Sequence, residues 1–124
     1  LLDYLKQRGV KVGLASGSSR KSVDHHLKEV GILDYFDTTV AGDELKIGKP
    51  APDVFPLTAE KMGVAPKDCF VFEDSSNGII SGYRAGMRCI GVADIVPFSL
   101  EAKKMIFREY NSLDEAIPYL KDCL

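Results

Sequence analysis

The chain has 124 residues, 45% hydrophobic and 27% charged, with a formal net charge of −2. That length fits one domain around a single core, and the near-neutral charge gives no electrostatic case for nucleic acid or an anionic membrane as partner. No apolar run approaches the ~18 residues of a membrane span, and no signal-peptide pattern is present.

The chain opens at Leu1 inside an amphipathic helical pattern (Leu1, Leu2, Leu5) that Gly9 stops, with no capping residue before it. It reads as a chain cut from something longer. Val10 to Ala15 is rich in strand formers and breaks into Ser16-Gly17-Ser18-Ser19, all small and polar. From Arg20 to Val30 the apolar residues Val23, Leu27 and Val30 recur at helical spacing, and Gly31 ends the helix. Ser16 to Ser19 is therefore a strand-to-helix turn, either an ordinary serine cap or a set of free N–H groups suited to an anion. In the helix, Asp24-His25-His26 reads as a solvated face, because adjacent helical residues point about 100° apart and cannot easily share one ion.

Ile32 to Phe36 predicts an apolar turn and Thr38 to Ala41 a brief strand, with Asp43 as loop structure. The stretch Gly48-Lys49-Pro50-Ala51-Pro52 excludes regular structure. Asp53 is placed to cap a helix running to Met62, with Pro56 in its first turn and Gly63 as its stop.

Next comes the most informative stretch, Cys69-Phe70-Val71-Phe72-Glu73-Asp74-Ser75-Ser76-Asn77-Gly78. An apolar strand ends in two adjacent carboxylates, and a helical pattern from Ile79 to Ala85 follows. Ligands of open α/β sheets bind at this end of a strand. Two acids there repel each other, and a hard divalent ion, Mg²⁺ above all, is their natural partner. A helix start with acids favouring its dipole and a serine cap accounts for the same residues.

After Gly86 the sequence predicts a strand over Arg88 to Val92, a helix over Ser99 to Met105 and a strand over Ile106 to Tyr110. Ser112-Leu113-Asp114-Glu115 reads as a capping box opening a last helix, with Leu113, Ala116, Ile117 and Leu120 inward and Pro118 kinking or shortening it. The three cysteines (Cys69, Cys89, Cys123) are odd in number and lack metal-site spacing; two lie in apolar runs, which predicts reduced core thiols in a cytoplasmic protein.

Strands alternating with helices predict an α/β fold, a Rossmann-like parallel sheet with helices on both faces. The loops holding Ser16, Lys49 and Glu73-Asp74 then share one edge, where a hydroxyl, an ammonium and paired carboxylates suggest phosphoryl chemistry.

Leu14-Ala15-Ser16-Gly17-Ser18, Gly48-Lys49-Pro50-Ala51-Pro52-Asp53-Val54-Phe55, Phe72-Glu73-Asp74-Ser75-Ser76-Asn77-Gly78-Ile79 and Ala85-Gly86-Met87, in this order, resemble the haloacid dehalogenase-like (HAD) superfamily, most closely its β-phosphoglucomutase-like branch of phosphatases and phosphomutases. The resemblance implies that Ser16 hydrogen-bonds the transferring phosphoryl group with help from the Gly17 N–H. It implies that Lys49 offsets charge, that Asp74 is a Mg²⁺ ligand, and that Glu73 lies beside it in contact with the metal or one step behind. Ser18, Arg20 and Asn77 fall near the site, facing substrate or supporting the fold.

The family's first motif, an Asp-x-Asp pair whose first Asp attacks phosphorus, occurs nowhere in the sequence. In the family that motif ends a central strand, between those ending here at Ser16 and Asp74, and a cap domain follows it. Residues 1–124 therefore read as the C-terminal portion of a HAD-like core, lacking its central first strand, its nucleophile and the cap. The chain alone is expected to be inactive and not to fold stably, needing its missing N-terminal segment. The complete protein is expected to act on a small phosphorylated metabolite such as a sugar phosphate, as phosphatase or phosphomutase. A non-catalytic module, receiver-like or a pseudoenzyme fragment that binds a partner, is the alternative; its difficulty is the Ser16-Gly17 turn.

Overall fold

A computed structural model of the chain describes residues 1–44, 54–92 and 96–123, for Cys123 the backbone alone. Eleven regular elements alternate through them. Helix α1 (Leu2–Gln7) leads to β1 (Gly13–Ala15), α2 (Arg20–Glu29), β2 (Thr38–Val40) and α3 (Val54–Met62). Then come β3 (Phe70–Glu73), α4 (Ser76–Arg84), β4 (Arg88–Val92), α5 (Leu100–Met105), β5 (Ile106–Tyr110) and α6 (Ile117–Cys123). Gly9 and Gly31 follow α1 and α2 at φ of 68° and 74°, the left-handed conformation that ends a helix and that side chains resist.

All strand pairs are parallel. β1 lies against β2 with Leu14 opposite Thr39, and β3, β4 and β5 form a second ladder with Val71 opposite Cys89. Among the described residues β1 pairs with β2 alone and β3 with β4 alone. Among the described residues the strands thus form two separate ladders. β1 is shorter than the predicted run from Val10. The Val12 N–H donates to the Asp37 carboxylate at 2.7 Å, and the Asp37 N–H to the Val12 carbonyl, also at 2.7 Å. A side chain thus takes a rung the ladder would have used.

Side-chain alternation sorts the core into two faces. Val71 packs with Val54, Phe55 and Ala59 of α3, Ile79 and Ile80 of α4, Cys89 and Ala102 of α5. Phe70 and Phe72 point the other way, against Leu5 of α1 and Leu120 of α6. Leu14 joins Val23 and Leu27 of α2. Helices therefore cover both faces, as predicted. Each fully buried aliphatic chain, Ile79 and Leu120 among them, contributes about 1.5–3 kcal/mol by leaving water.

The last helix differs from expectation. Ser112 makes no side-chain cap bond, and Leu113–Ala116 is a 3₁₀ turn. Leu113 is exposed, whereas Ala116 and Leu120 are buried. Pro118 explains the change: it has no N–H to give the Asp114 carbonyl, so an α-helix capped at Ser112 and opening at Leu113 would lose its third rung. In the first turn of α6 (Ile117–Cys123) that missing donor costs little. Cys69 also departs from a core position. It is half-buried just ahead of β3, while Cys89 is fully buried, and both are free thiols.

Candidate phosphoryl-transfer site

Ser16 follows the last residue of β1, and its N–H donates to the Val40 carbonyl at 2.9 Å, extending the ladder by one bond. The chain then turns. Ser18 N–H donates back to Ser16 Oγ at 3.1 Å, and Ser19 caps α2 by accepting from the Ser22 N–H at 3.2 Å. Gly17 is exposed, and a Cβ there would meet nothing within 4 Å. A half-buried hydroxyl thus sits beside an exposed glycine at a strand's carboxyl end, a turn whose chemistry suits an anion.

This turn leans on the loop after β2. Gly42 N–H donates to the Ser18 carbonyl at 2.6 Å, and Gly42 lies so close that a Cβ would overlap the Gly17 carbonyl. Asp43 accepts the Arg20 N–H through both oxygens, at 3.1 and 3.2 Å, so a protein carboxylate takes a donor in the first turn of α2. The Arg20 guanidinium donates to Thr39 Oγ1 at 2.5 Å, the Thr39 carbonyl at 2.7 Å, Glu44 at 2.8 Å and Asp24 at 3.2 Å. Burial opposes its charge, but the bonds to Asp24 and Glu44 outweigh burial and raise its pKa. Glu44 also accepts the Ala41 N–H at 2.7 Å. That bond, above all, holds its carboxyl below the usual range against some desolvation, helped by Arg20 and Lys61.

At the end of β3 the two acids diverge. Glu73 is half-buried, folds over Gly78 in the first turn of α4, and accepts the Ser75 hydroxyl at 3.2 Å. Ser75 in turn caps α4 through the Gly78 N–H at 3.1 Å. Asp74 is exposed and has no hydrogen bond or ion pair among the described residues. Asn77 is exposed on the first turn of the same helix.

The donor set suits a hard cation. Asp74 and Glu73 offer carboxylate oxygens, and Mg²⁺ commonly takes only one or two of these, keeping several waters. Among the described residues there is no cluster of three His, Cys, Asp or Glu side chains able to hold a metal. Asp74 is the accessible ligand. Glu73, committed to Ser75 and packed on Gly78, is better placed to brace the loop behind it.

Among the predicted residues, Ser16, Gly17 and Ser18 lie together in one turn, and Glu73, Asp74 and Asn77 at the other strand end. Lys49, like Asp53, lies outside the described residues. Arg20 is turned into Thr39 and Glu44. His25 lies 3.4 Å from Glu29 on an exposed helix face. Sequence reasoning missed Gly42 and Glu44. The only available signal was a pair of acids after a glycine, which any solvated loop also carries.

A two-faced parallel α/β domain with a serine-glycine turn and an acidic pair at its strand ends defines a Rossmann-like fold. The chain belongs to the haloacid dehalogenase-like hydrolase family, whose model matches residues 1–86. It is 41% identical over 110 residues to YhcW of Bacillus subtilis, covering 89% of this chain and 48% of that protein. It is 42% identical over 96 residues to the fructose-1-phosphate phosphatase YqaB of Escherichia coli, covering 74% and 50%. The crystal structure of β-phosphoglucomutase from Clostridium difficile superposes with a TM-score of 0.82 at 29% identity, over 98% of this chain and 52% of that one. The chain thus spans about half the length of these relatives. No helix among the described residues is long and apolar enough to cross a membrane.

Proposed function

We propose that the complete protein is a Mg²⁺-dependent phosphatase or phosphomutase acting on a small phosphorylated metabolite of the sugar-phosphate class. The observation that carries this reading is the chemistry of two strand ends. One carries the half-buried Ser16 hydroxyl beside the exposed Gly17, and the other the exposed Asp74, without a partner among the described residues. Ser16 and Gly17 hold phosphoryl oxygens, Lys49 offsets their charge, and Asp74 holds the metal with Glu73 behind it. Bound Mg²⁺ draws charge from the phosphoryl oxygens. Family membership and the relatives' names support the substrate class.

The attacking carboxylate comes from protein outside these residues, so the 124-residue chain alone turns nothing over and needs that segment to complete its sheet. The modest net charge of −2 supports a small-molecule partner over nucleic acid or a membrane, and the free thiols support the cytoplasm.

The test is phosphate release and sugar isomerisation from fructose 1-phosphate and glucose 1-phosphate, with the complete protein and with residues 1–124. The complete protein should act only with Mg²⁺. Asp74→Asn and Lys49→Ala should each lower turnover by about 10²-fold or more. Near-wild-type rates in either variant would remove that residue from the site. Turnover by residues 1–124 alone would refute an external nucleophile.

A further inference from the structure

Arg20 has the look of a substrate-binding cation, one residue beyond the serine turn, yet both its terminal nitrogens are spent inside the protein. One nitrogen reaches Asp24 and Thr39 Oγ1; the other reaches the Thr39 carbonyl and Glu44 Oε2. Glu44 Oε2 simultaneously accepts the Ala41 N–H at 2.7 Å. Asp43, beside it, takes the Arg20 N–H. Gly42, between Ala41 and Asp43, donates its N–H to the Ser18 carbonyl at 2.6 Å, and its missing side chain lets Gly17 approach.

We propose that Arg20, Glu44 and Asp43 form a positioning clamp, which presses Gly42 against the Ser16–Ser19 turn and thereby sets the Ser16 hydroxyl and Gly17 N–H for a phosphoryl group. The inference rests on the proposed phosphoryl site and deepens it. A guanidinium is required because its planar fork joins two oxygens of β2 to a carboxylate of the next turn, a span a single ammonium cannot make. Asp43 accepts a donor in the first turn of α2, so the anion's remaining seat is the Ser16–Gly17 side of the turn. Arg20, Asp43 and Glu44 touch no substrate. They act through the turn.

The test uses the complete protein, with turnover of fructose 1-phosphate, inhibition by inorganic phosphate, and the Mg²⁺ concentration for half activation as readouts. Ser16→Ala is measured first: unchanged turnover there would sink the phosphoryl-site reading and the clamp with it. If Ser16→Ala is impaired, the clamp stands or falls on the others. Arg20→Gln, Arg20→Lys and Glu44→Gln should each cut turnover by about 10²-fold, as misplacing a site by ~1 Å does. Phosphate inhibition should weaken alongside, with half activation by Mg²⁺ unchanged. Combining Arg20→Gln with Glu44→Gln should cost little more than either alone, as for two ends of one interaction. Wild-type turnover in Arg20→Lys would show that charge alone suffices and overturn the clamp. So would additive losses in the double variant, or a fall in thermal stability with phosphate inhibition unmoved.

Discussion

Glu73 lies across Gly78: the carboxylate at the end of β3 occupies the space where a side chain in the first turn of α4 would be. The absent Cβ gives Glu73 its place, and Glu73 reaches the Ser75 hydroxyl from there. Gly78→Ala should therefore displace a flexible carboxylate rather than the backbone. Because alanine favours a helix over glycine by about 1 kcal/mol, stability should change little. The Mg²⁺ concentration for half activation of the complete protein should rise several-fold. An unfolding curve and a Mg²⁺ titration on the same sample check both halves of this expectation.

Gly42→Ala is the contrasting case. Its Cβ would overlap the Gly17 carbonyl, a backbone atom held by neighbouring hydrogen bonds. Relief requires moving the turn itself, so the substitution should destabilise by about 1–3 kcal/mol, as overpacking does. Phosphate inhibition should weaken with it. Urea unfolding and inhibition by inorganic phosphate measure the two effects.

Glu44 should make stability pH-dependent on the acid side. Its carboxyl is held below the ordinary value of 4.5, chiefly by the Ala41 N–H, with desolvation opposing and Arg20 and Lys61 assisting. A depressed folded pKa means the stabilisation is present above the unfolded value and is lost as pH falls through the folded one. Glu44→Gln should be less stable than the parent at pH 7, with the difference shrinking below pH ~4.5 as the parent's carboxylate is protonated. Parallel unfolding curves from pH 7 to 3 would expose a constant difference, which would refute this role.

Cys89 should be chemically silent in the folded protein. Burial pushes its thiol pKa up to about 11, with the Glu73 charge adding to the effect. A raised folded pKa gives stabilisation that is complete below the unfolded value near 9 and is lost as pH rises toward about 11. Iodoacetamide at neutral pH should label Cys89 only after denaturant is added, as peptide masses would show. Labelling of Cys89 in native protein at the rate of a free thiol would contradict its burial.

The sequence by itself determined the alternation of strands and helices, the glycines that stop α1 and α2, and the chemical character of two strand ends. All of these rest on neighbours within a few residues. Apolar runs, periods of 2 and 3.6, and a strand that ends in carboxylates are visible without a fold. Ser16 and Glu73-Asp74 were legible as site candidates for that reason. The Ser112 capping box was legible too, and misleading, because Pro118 withheld a rung that a four-residue pattern does not count.

Tertiary structure decided what faces what. It turned Arg20 into Thr39 and Glu44, set Gly42 under Gly17, and folded Glu73 over Gly78 while leaving Asp74 exposed. Adjacent carboxylates look equivalent in a sequence, but at a strand end they alternate in direction, so one is packed and the other is open. The Arg20–Glu44 bond joins groups 24 positions apart. Its geometry exists only because β1 and β2 pair side by side, bringing the loop after one against the turn after the other.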